Sequence, residues 1–256
     1  METHPFTLSG KIAVVTGGTT GIGFGISRGL AAAGAAVAMA GLDGQETAGA
    51  VAELKALGVP ATFLAVDITE AAACRSMIEA VERGFGRVDI LVNNAGIVIR
   101  RLPQDYTPAE WQSVIDVNLS GAFYCAQAVY PGMSGRRHGR IINVGSVLGS
   151  LASPTTAPYA ASKAGIMQLT RALAVAWAGN GITVNAVLPG WIDTAMTRAV
   201  REAVPSLGER VLARTPLGRW GRPADLAGVA VFLASRAADF VTGAGIVVDG
   251  GYSSLG

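Results

Sequence analysis

The sequence predicts an α/β fold, a single-domain, doubly wound parallel sheet of about seven strands with helices on both faces. Short apolar runs rich in β-branched residues alternate with helical segments along the chain, as is typical of parallel strands buried on both faces. Half of the 256 residues are hydrophobic, 15% are charged, and 34 glycines indicate many tight turns. Because no Pro/Ser-rich linker or charge block interrupts the sequence, we expect one domain over residues 1–256.

The first unit is a strand over Ile12–Val15, a glycine-rich turn and a helix. Ile22, Ile26 and Leu30 recur at helical spacing, and Gly34 is a typical C-terminal stop. The further predicted strands are Val37–Ala40, Thr62–Val66, Ile90–Val92, Ile141–Val144, Thr183–Val187 and Ile246–Val248. The further predicted helices are Thr47–Leu57, Ala71–Phe85, two between Pro108 and Tyr130, Tyr159–Trp177 and Asp225–Leu233.

Four polar or glycine-rich motifs come directly after predicted strands. They are Thr16–Gly23, Asn93–Gly96, Ser146 and Pro189-Gly190. Right-handed crossovers give such a sheet a Rossmann-like winding, and its ligands bind beyond the carboxyl ends of the strands. We therefore expect the four motifs to share one cleft.

The composition argues against several function classes. The net charge is +2 and basic residues form only short pairs, so no nucleic-acid partner is expected. Cys74 and Cys125 lack metal-ligand spacing, and His4 and His138 are too few and too distant, so no metal site is predicted. The N-terminus lacks the form of a signal peptide and the apolar runs are too short to span a bilayer. These features predict a cytoplasmic protein without a membrane partner.

Tyr159 and Lys163 stand at i and i+4 of a predicted helix, so their side chains project from one face. A free phenol has a pKa of about 10, and a nearby ammonium lowers it toward the range useful for proton transfer. Ser146 can hold a carbonyl or alcohol oxygen, and the glycine turn can hold a pyrophosphate. A single Tyr-x-x-x-Lys match occurs by chance in many helices. The ordered combination predicts an alcohol/carbonyl oxidoreductase.

The same motifs, in this order, resemble those of the short-chain dehydrogenase/reductase family over almost the whole chain. The resemblance implies that Tyr159 donates the proton in reduction and accepts it in oxidation. It implies that Lys163 lowers the pKa of Tyr159 and holds the nicotinamide ribose, and that Ser146 orients the substrate oxygen. Asn118 falls where the family has an asparagine that supports a water relay to the lysine. The resemblance also implies a homotetramer.

The family resemblance implies a dinucleotide site as well. Its expected residues, from the pyrophosphate turn through the adenine edge to the nicotinamide carboxamide, are Gly17, Thr20, Gly21, Ile22, Gly23, Leu42, Asp67, Ile68, Asn94, Tyr159, Lys163, Ile192 and Thr194. For Asp67 a helix N-cap is the alternative role.

The choice between NAD and NADP depends on the end of the second strand. Relatives that prefer NAD have an acidic residue there, which binds the ribose 2′-hydroxyl, whereas this chain has Gly41 and places Asp43 two residues later. Relatives that prefer NADP usually carry a basic residue at the position of Leu42 or Thr20. Because no cation is available for a 2′-phosphate, the sequence favours NAD, with NADP as the alternative.

The segment over residues 191–217 is the expected substrate lid. Its apolar residues Met196, Val200, Val204 and Leu207 either line a pocket or pack the lid onto the core. Its arginines Arg198, Arg201, Arg210 and Arg214 either meet an acidic substrate or lie on solvated faces.

Arg100 lies at the expected cleft rim, as in sugar-acid and polyol dehydrogenases of this family, so a small polyhydroxylated substrate is predicted. The alternative is a 3-ketoacyl thioester or other carbonyl reductase, although the Arg-Asp-x-Leu run of ketoacyl reductases is missing. Epimerases or dehydratases with the same Tyr/Lys pair are typically longer. A catalytically idle nucleotide-binding scaffold would not need all four of Asn118, Ser146, Tyr159 and Lys163.

Overall fold

The computed structural model describes residues 4–42, 44, 46–204 and 206–255. It confirms the predicted parallel sheet, whose seven strands stand in the order β3-β2-β1-β4-β5-β6-β7. The strands are β1 Ile12–Thr16, β2 Ala36–Gly41, β3 Ala61–Ala65, β4 Ile90–Asn93, β5 Gly139–Val144, β6 Ile182–Pro189 and β7 Gly245–Val248. The strand order reverses between β1 and β4, which pair directly, with Val15 opposite Val92. This reversal places the ligand crevice of an open α/β sheet at the carboxyl ends of these two strands.

The helices cover both faces of the sheet, as predicted. They are α1 Gly21–Ala32, α2 Thr47–Ala56, α3 Ala71–Phe85, α4 Pro108–Ile115, α5 Gly121–Gly135, α6 Ala157–Trp177, α7 Ala195–Ala203, α8 Ser206–Arg214 and α9 Ala227–Ala234. No helix within the described ranges combines the length and the apolar character needed to cross a membrane.

Alternate side chains along the strands pack into two separate hydrophobic cores, one on each face of the sheet. Ala13 and Val15 of β1 face the core formed with α1, α2 and α9, whereas Ile12 and Val14 face the core formed with α3, α5 and α6. This alternation follows from the two-residue period of side chains along a strand. Burial on both faces explains why the strands read as continuous apolar runs.

Two predicted helical regions differ in detail from the structure. The helices between Pro108 and Tyr130 are α4 and α5, joined by a π-helical turn over Asp116–Ser120, and α5 runs on to Gly135. The turn arises because the Gly121 N–H donates to the Asp116 carbonyl, five residues back. The predicted helix from Asp225 begins as a 3₁₀ turn over Pro223–Leu226, and α9 follows at Ala227.

Candidate active site

A cavity of about 270 Å³ opens at the carboxyl edge of the sheet. It gathers most of the predicted site residues, namely Gly17, Thr20, Gly21, Ile22, Gly23, Asn94, Ser146, Tyr159, Lys163, Ile192 and Thr194. A smaller cavity of about 60 Å³ adjoins it and shares Ser146 and Tyr159. Its other lining residues include Val98, Arg100, Val147, Leu148, Trp191 and Met196. The two cavities meet at Ser146 and Tyr159, two of the predicted catalytic residues.

The glycine turn between β1 and α1 forms one wall of the larger cavity. A side chain at Gly23 would overlap the Gly17 carbonyl oxygen and the Asn94 amide nitrogen. The Asn94 Nδ2 donates to the carbonyls of Thr16 at 2.9 Å and Gly17 at 3.0 Å, which fastens the turn to the end of β4. Asn94 therefore has two roles: it lines the cavity, and its amide group holds the glycine turn in place.

The N-terminus of α1 fits a dinucleotide pyrophosphate. Thr20 immediately precedes the helix, its side chain caps no backbone N–H, and the first turn holds no acidic residue. The free N–H groups and the partial positive charge of the helix end are thus left for an external anion. The absence of side chains at Gly17 and Gly23 lets such an anion approach the backbone.

Three expected cofactor residues lie outside this cavity, on the side where the adenosine is expected. Leu42 follows β2 and is 76% exposed, and Asp43 is not among the described residues. Asp67 accepts hydrogen bonds at its Oδ1 from the Thr69 N–H at 2.9 Å and hydroxyl at 2.7 Å, which lower the pKa of its carboxyl. The alternative role of Asp67 as an N-cap is wrong, because Glu70 is the residue preceding α3.

Ile68, by contrast, is buried and packs against Gly121, where an added Cβ would lie 2.8 Å from its Cδ1. This contact joins the segment after β3 to the start of α5. Ile68 therefore lies in the core beside the expected adenine position and does not line the open cavity.

Ser146 and Tyr159 face each other across the catalytic end of the cavity. Ser146 follows β5, and its Oγ accepts a hydrogen bond from the Leu148 N–H at 3.1 Å. Burial raises the pKa of the Tyr159 phenol, and both hydrogen bonding with Ser146 and the positive charge of Arg100 lower it.

Lys163 is buried one helical turn from Tyr159. Its Nζ donates to the Val144 carbonyl at 2.8 Å and lies 5.6 Å from the centroid of the Tyr159 ring. Burial lowers the pKa of Lys163 to about 8. The pKa of Tyr159 is raised overall by burial, against the opposing effects of Ser146 and Arg100. The role of Lys163 in lowering this pKa stays a prediction.

Asn118 lies in the π-helical turn and is 2% exposed, outside the residues that line the cavity. Its Oδ1 accepts from the Ile97 N–H at 2.8 Å, and its Nδ2 donates to the Ile97 carbonyl at 2.9 Å and to the Ser162 hydroxyl at 3.1 Å. A Cβ added to Gly96 would lie 3.2 Å from the Asn118 Oδ1 and 3.6 Å from the Lys163 Nζ. Asn118 thus lies beside Lys163. The Asn118 side chain also holds the segment that follows β4, through its hydrogen bonds to Ile97.

Three of the four lid arginines contact other side chains of the protein itself. Arg198 and Arg201 each approach Asp193 at 3.5 Å, and Arg214 stacks on Tyr252 with its Cζ 4.7 Å from the ring centroid. Of the lid's apolar residues, Met196 lines both cavities.

Arg100 contrasts with the lid arginines. Its Nε is buried and has no hydrogen-bond partner among the described residues, while the guanidinium borders the smaller cavity. Loss of hydration lowers the pKa of this guanidinium.

Several residues that close the smaller cavity were not predicted from the sequence. Val147 and Leu148 directly follow Ser146, so their position beside the site could have been predicted from the sequence. Thr197 also lines it, and its Oγ1 donates to the Ile192 carbonyl at 2.6 Å. The spacing of Thr194 and Thr197 at the start of a helix is the pattern of a capping box, which the structure contains.

A family model described as enoyl-(acyl carrier protein) reductase matches residues 17–253. The chain belongs to the short-chain dehydrogenase/reductase family. Family membership makes it an NAD(P)-dependent oxidoreductase acting on CH–OH groups. When bound, the nicotinamide dinucleotide supplies the hydride acceptor or donor.

Individual relatives of this dehydrogenase extend over nearly the whole chain. It is 43% identical over 251 residues to a 2-dehydro-3-deoxy-D-gluconate 5-dehydrogenase of Pseudoalteromonas atlantica, covering 96% of this chain and 97% of that protein. It is also 43% identical over 242 residues to a 3-oxoacyl-(acyl-carrier-protein) reductase of Staphylococcus aureus, covering 94% and 97%. A solved structure of a gluconate 5-dehydrogenase from Burkholderia cenocepacia J2315, in complex with NADP and tartrate, has a TM-score of 0.93 at 41% identity and covers 98% of both chains.

Proposed function

We propose that this dehydrogenase oxidises a secondary alcohol of a small polyhydroxylated molecule, such as a sugar acid, deoxy sugar acid or polyol. The observation that carries the proposal is Arg100, which lines the small cavity beside Ser146 and Tyr159 and whose Nε is buried without a hydrogen-bond partner among the described residues. A guanidinium can hold a carboxylate through two parallel hydrogen bonds, which orient a substrate as well as bind it. None of the lid arginines is among the described residues that line this cavity, whereas Arg100 is.

The positions of the side chains support the catalytic roles that we propose. In oxidation, the Ser146 hydroxyl holds the substrate oxygen and the Tyr159 phenolate accepts the hydroxyl proton. Lys163 contributes a buried positive charge beneath Tyr159 and is placed to reach the ribose of a dinucleotide in the same cavity. Asn118 holds the segment between β4 and Arg100 in place. In reduction the same proton travels from the phenol to the substrate oxygen.

The relatives support the polar substrate. The Pseudoalteromonas protein is named for a deoxy sugar acid, and the Burkholderia structure holds tartrate, a small hydroxylated dicarboxylate. The small cavity, of about 60 Å³, also suits a compact substrate better than a long chain.

A ketoacyl thioester reductase is the second candidate. The Staphylococcus relative favours it, and the apolar residues Val98, Leu148 and Met196 around the small cavity suit an acyl chain. Against it stands Arg100, because an acyl chain would leave its unpartnered Nε buried without compensation.

We propose NAD as the preferred cofactor. Gly41 ends β2 and Leu42 follows it with an exposed apolar side chain, so neither supplies a cation for a 2′-phosphate. NADP is the alternative that the Burkholderia structure supports.

We also propose that the protein is a single-domain homotetramer in the cytoplasm. Exposed apolar side chains support association through two faces: Phe123 on α5, Val175 on α6, Val247 on β7, and the fully exposed Phe240 in the segment before β7. Two unpaired, buried cysteines agree with a reducing compartment. Light scattering at micromolar concentration should give four times the chain mass, and a monomer mass would contradict the tetramer.

The substrate proposal is tested by a screen of aldonates, polyols, hydroxysteroids, aryl ketones and acetoacetyl thioesters with NAD(H) and NADP(H). Sugar-derived compounds should give the largest kcat/KM. If steroids or thioesters exceeded every sugar-derived compound by about tenfold or more, which is about 1.4 kcal/mol in transition-state binding, the polar substrate would be wrong.

A further inference from the structure

We propose that Arg100 is the second cation of the acid–base centre, and that its guanidinium stabilises the Tyr159 phenolate during proton transfer. This inference rests on the proposed acid–base role of Tyr159 but is independent of the proposed sugar-acid substrate. It makes Arg100 a residue that acts through Tyr159, in addition to any contact with a substrate carboxylate.

The first argument is the placement of the two candidate cations around the phenol. Lys163 lies towards the face of the Tyr159 ring, 5.6 Å from its centroid, and its Nζ is bound to the Val144 carbonyl. Arg100 instead borders the same small cavity as the phenol and Ser146. A substrate hydroxyl in that cavity would therefore share it with Ser146, the phenol and Arg100.

The second argument is that the backbone on each side of Arg100 is fixed. Asn118 holds both backbone polar groups of Ile97. The Tyr106 hydroxyl donates to the carbonyls of Ile99 at 2.6 Å and Thr155 at 3.0 Å.

The Arg101 N–H donates to the same Thr155 carbonyl at 3.1 Å. Since Thr155 lies four residues before Tyr159, these bonds fix the backbone at Arg100 relative to the segment that leads into the helix carrying the phenol. A charge carried on such a fixed backbone needs less reorganisation when the phenolate forms.

The third argument is the unpartnered Nε of the guanidinium. The Arg100 Nε is buried without a hydrogen-bond partner in the described part of the chain, and a buried donor without a partner is costly. Formation of the phenolate would place a negative charge in the cavity that this cation lines. Burial raises the pKa of Tyr159, and the positive charge of Arg100 opposes that rise.

A consequence follows for acidic substrates. A bound carboxylate would neutralise part of the Arg100 charge, so it would weaken the support of the phenolate. The pKa seen in kcat/KM reports the free enzyme and stays the same, whereas the pKa seen in kcat reports the substrate complex. We therefore expect the pKa from kcat to be higher with an acidic substrate than with a neutral alcohol.

The test compares Arg100→Gln, Arg100→Lys and the matched control Arg101→Gln. Arg101 is the adjacent arginine, is half-exposed and pairs with Glu110 at 2.7 Å. Oxidation of a neutral alcohol would be followed from pH 6 to pH 11 with each folded variant. Arg100→Gln should raise the pKa seen in kcat/KM by about one pH unit, since a cation within reach typically shifts a pKa by 1–3 units. Arg100→Lys should restore part of the shift, and Arg101→Gln should match the unmodified protein.

Ultraviolet titration of tyrosinate gives a second readout that needs no substrate. The Tyr159→Phe protein identifies the step that belongs to Tyr159, and Arg100→Gln should move that step to higher pH with and without oxidised cofactor. An unchanged titration, or an unchanged kinetic pKa accompanied only by a raised KM, would overturn the inference. If the titration shifts although no sugar acid is oxidised, the substrate proposal fails and the role of Arg100 stands.

Discussion

Replacing Gly23 by alanine tests how the glycine turn builds the cofactor cavity. Gly23 is the third residue of α1, and a methyl group there would overlap the Gly17 carbonyl oxygen and the Asn94 Nδ2. The first of these atoms belongs to the backbone, so no side-chain rotation relieves the overlap. The turn itself has to move away from β4.

The expected cost follows from the contacts that are lost. Moving the turn disrupts the two hydrogen bonds from Asn94 to Thr16 and Gly17, each of which contributes about 0.5–1.5 kcal/mol. Overpacking of a tight site typically costs about 1–3 kcal/mol. A combined loss of roughly 2–6 kcal/mol lowers the Tm of a domain of this size by roughly 4–12 °C, at about 2 °C per kcal/mol.

Cofactor binding should weaken by about tenfold or more, because the displaced backbone no longer fits the pyrophosphate. Calorimetric unfolding and fluorescence titration with NADH measure the two effects. Gly49→Ala is the matched control, because Gly49 lies on the exposed face of α2 and an added Cβ meets no atom within 4 Å. That control should keep its cofactor affinity and gain up to about 1 kcal/mol of stability. A Gly23→Ala protein with unchanged Tm and cofactor Kd would refute the reasoning.

Three further changes have defined outcomes. Leu42→Arg should narrow or reverse a preference for NAD in kcat/KM, because it supplies a partner for a 2′-phosphate, and a larger kcat/KM with NADP in the unmodified protein would contradict the cofactor proposal. The pKa of buried Lys163 is about 8, below its ordinary value, so the unfolded chain binds more protons between the two values and stability rises with pH there. From pH 8 to pH 10, the unfolding free energy of the unmodified protein should therefore rise by roughly 2 kcal/mol relative to that of Lys163→Met. Unfolding free energies of the two proteins that change equally with pH would contradict this. Asn118→Ala should leave the backbone groups of Ile97 unpaired, which costs roughly 2–4 kcal/mol and lowers kcat, whereas unchanged urea midpoint and kcat would show that these hydrogen bonds are dispensable.

The sheet was predictable because its signal is local and repeated. Each strand is a short apolar run, and the side chains of residues such as Val14 and Val15 enter opposite cores. The glycine turn and the Tyr159/Lys163 spacing predicted one shared cavity, since the ends of parallel strands meet at one edge.

The partners of individual side chains were not predictable from such patterns. Asn118 lies in a π-helical turn and hydrogen-bonds to Ile97. The spacing of apolar residues in the sequence does not predict that turn. Three of the four lid arginines lie near Asp193 or Tyr252, and these pairings depend on how α7 and the C-terminal segment pack. The hydrogen bond from the Lys163 ammonium to the Val144 carbonyl of β5 was likewise not readable from the Tyr159/Lys163 spacing. Long-range packing decides these contacts.

The most direct measurement is the turnover and cofactor affinity of Tyr159→Phe. The variant keeps the ring within the cavity and removes only the hydroxyl that meets Ser146 and carries the proton. We expect its cofactor Kd to stay within a few-fold of the unmodified protein and its kcat to fall by roughly 10²–10⁴, the usual contribution of a general acid–base group. A variant that retained more than about a tenth of the original kcat would contradict the assignment of Tyr159 as the acid–base residue.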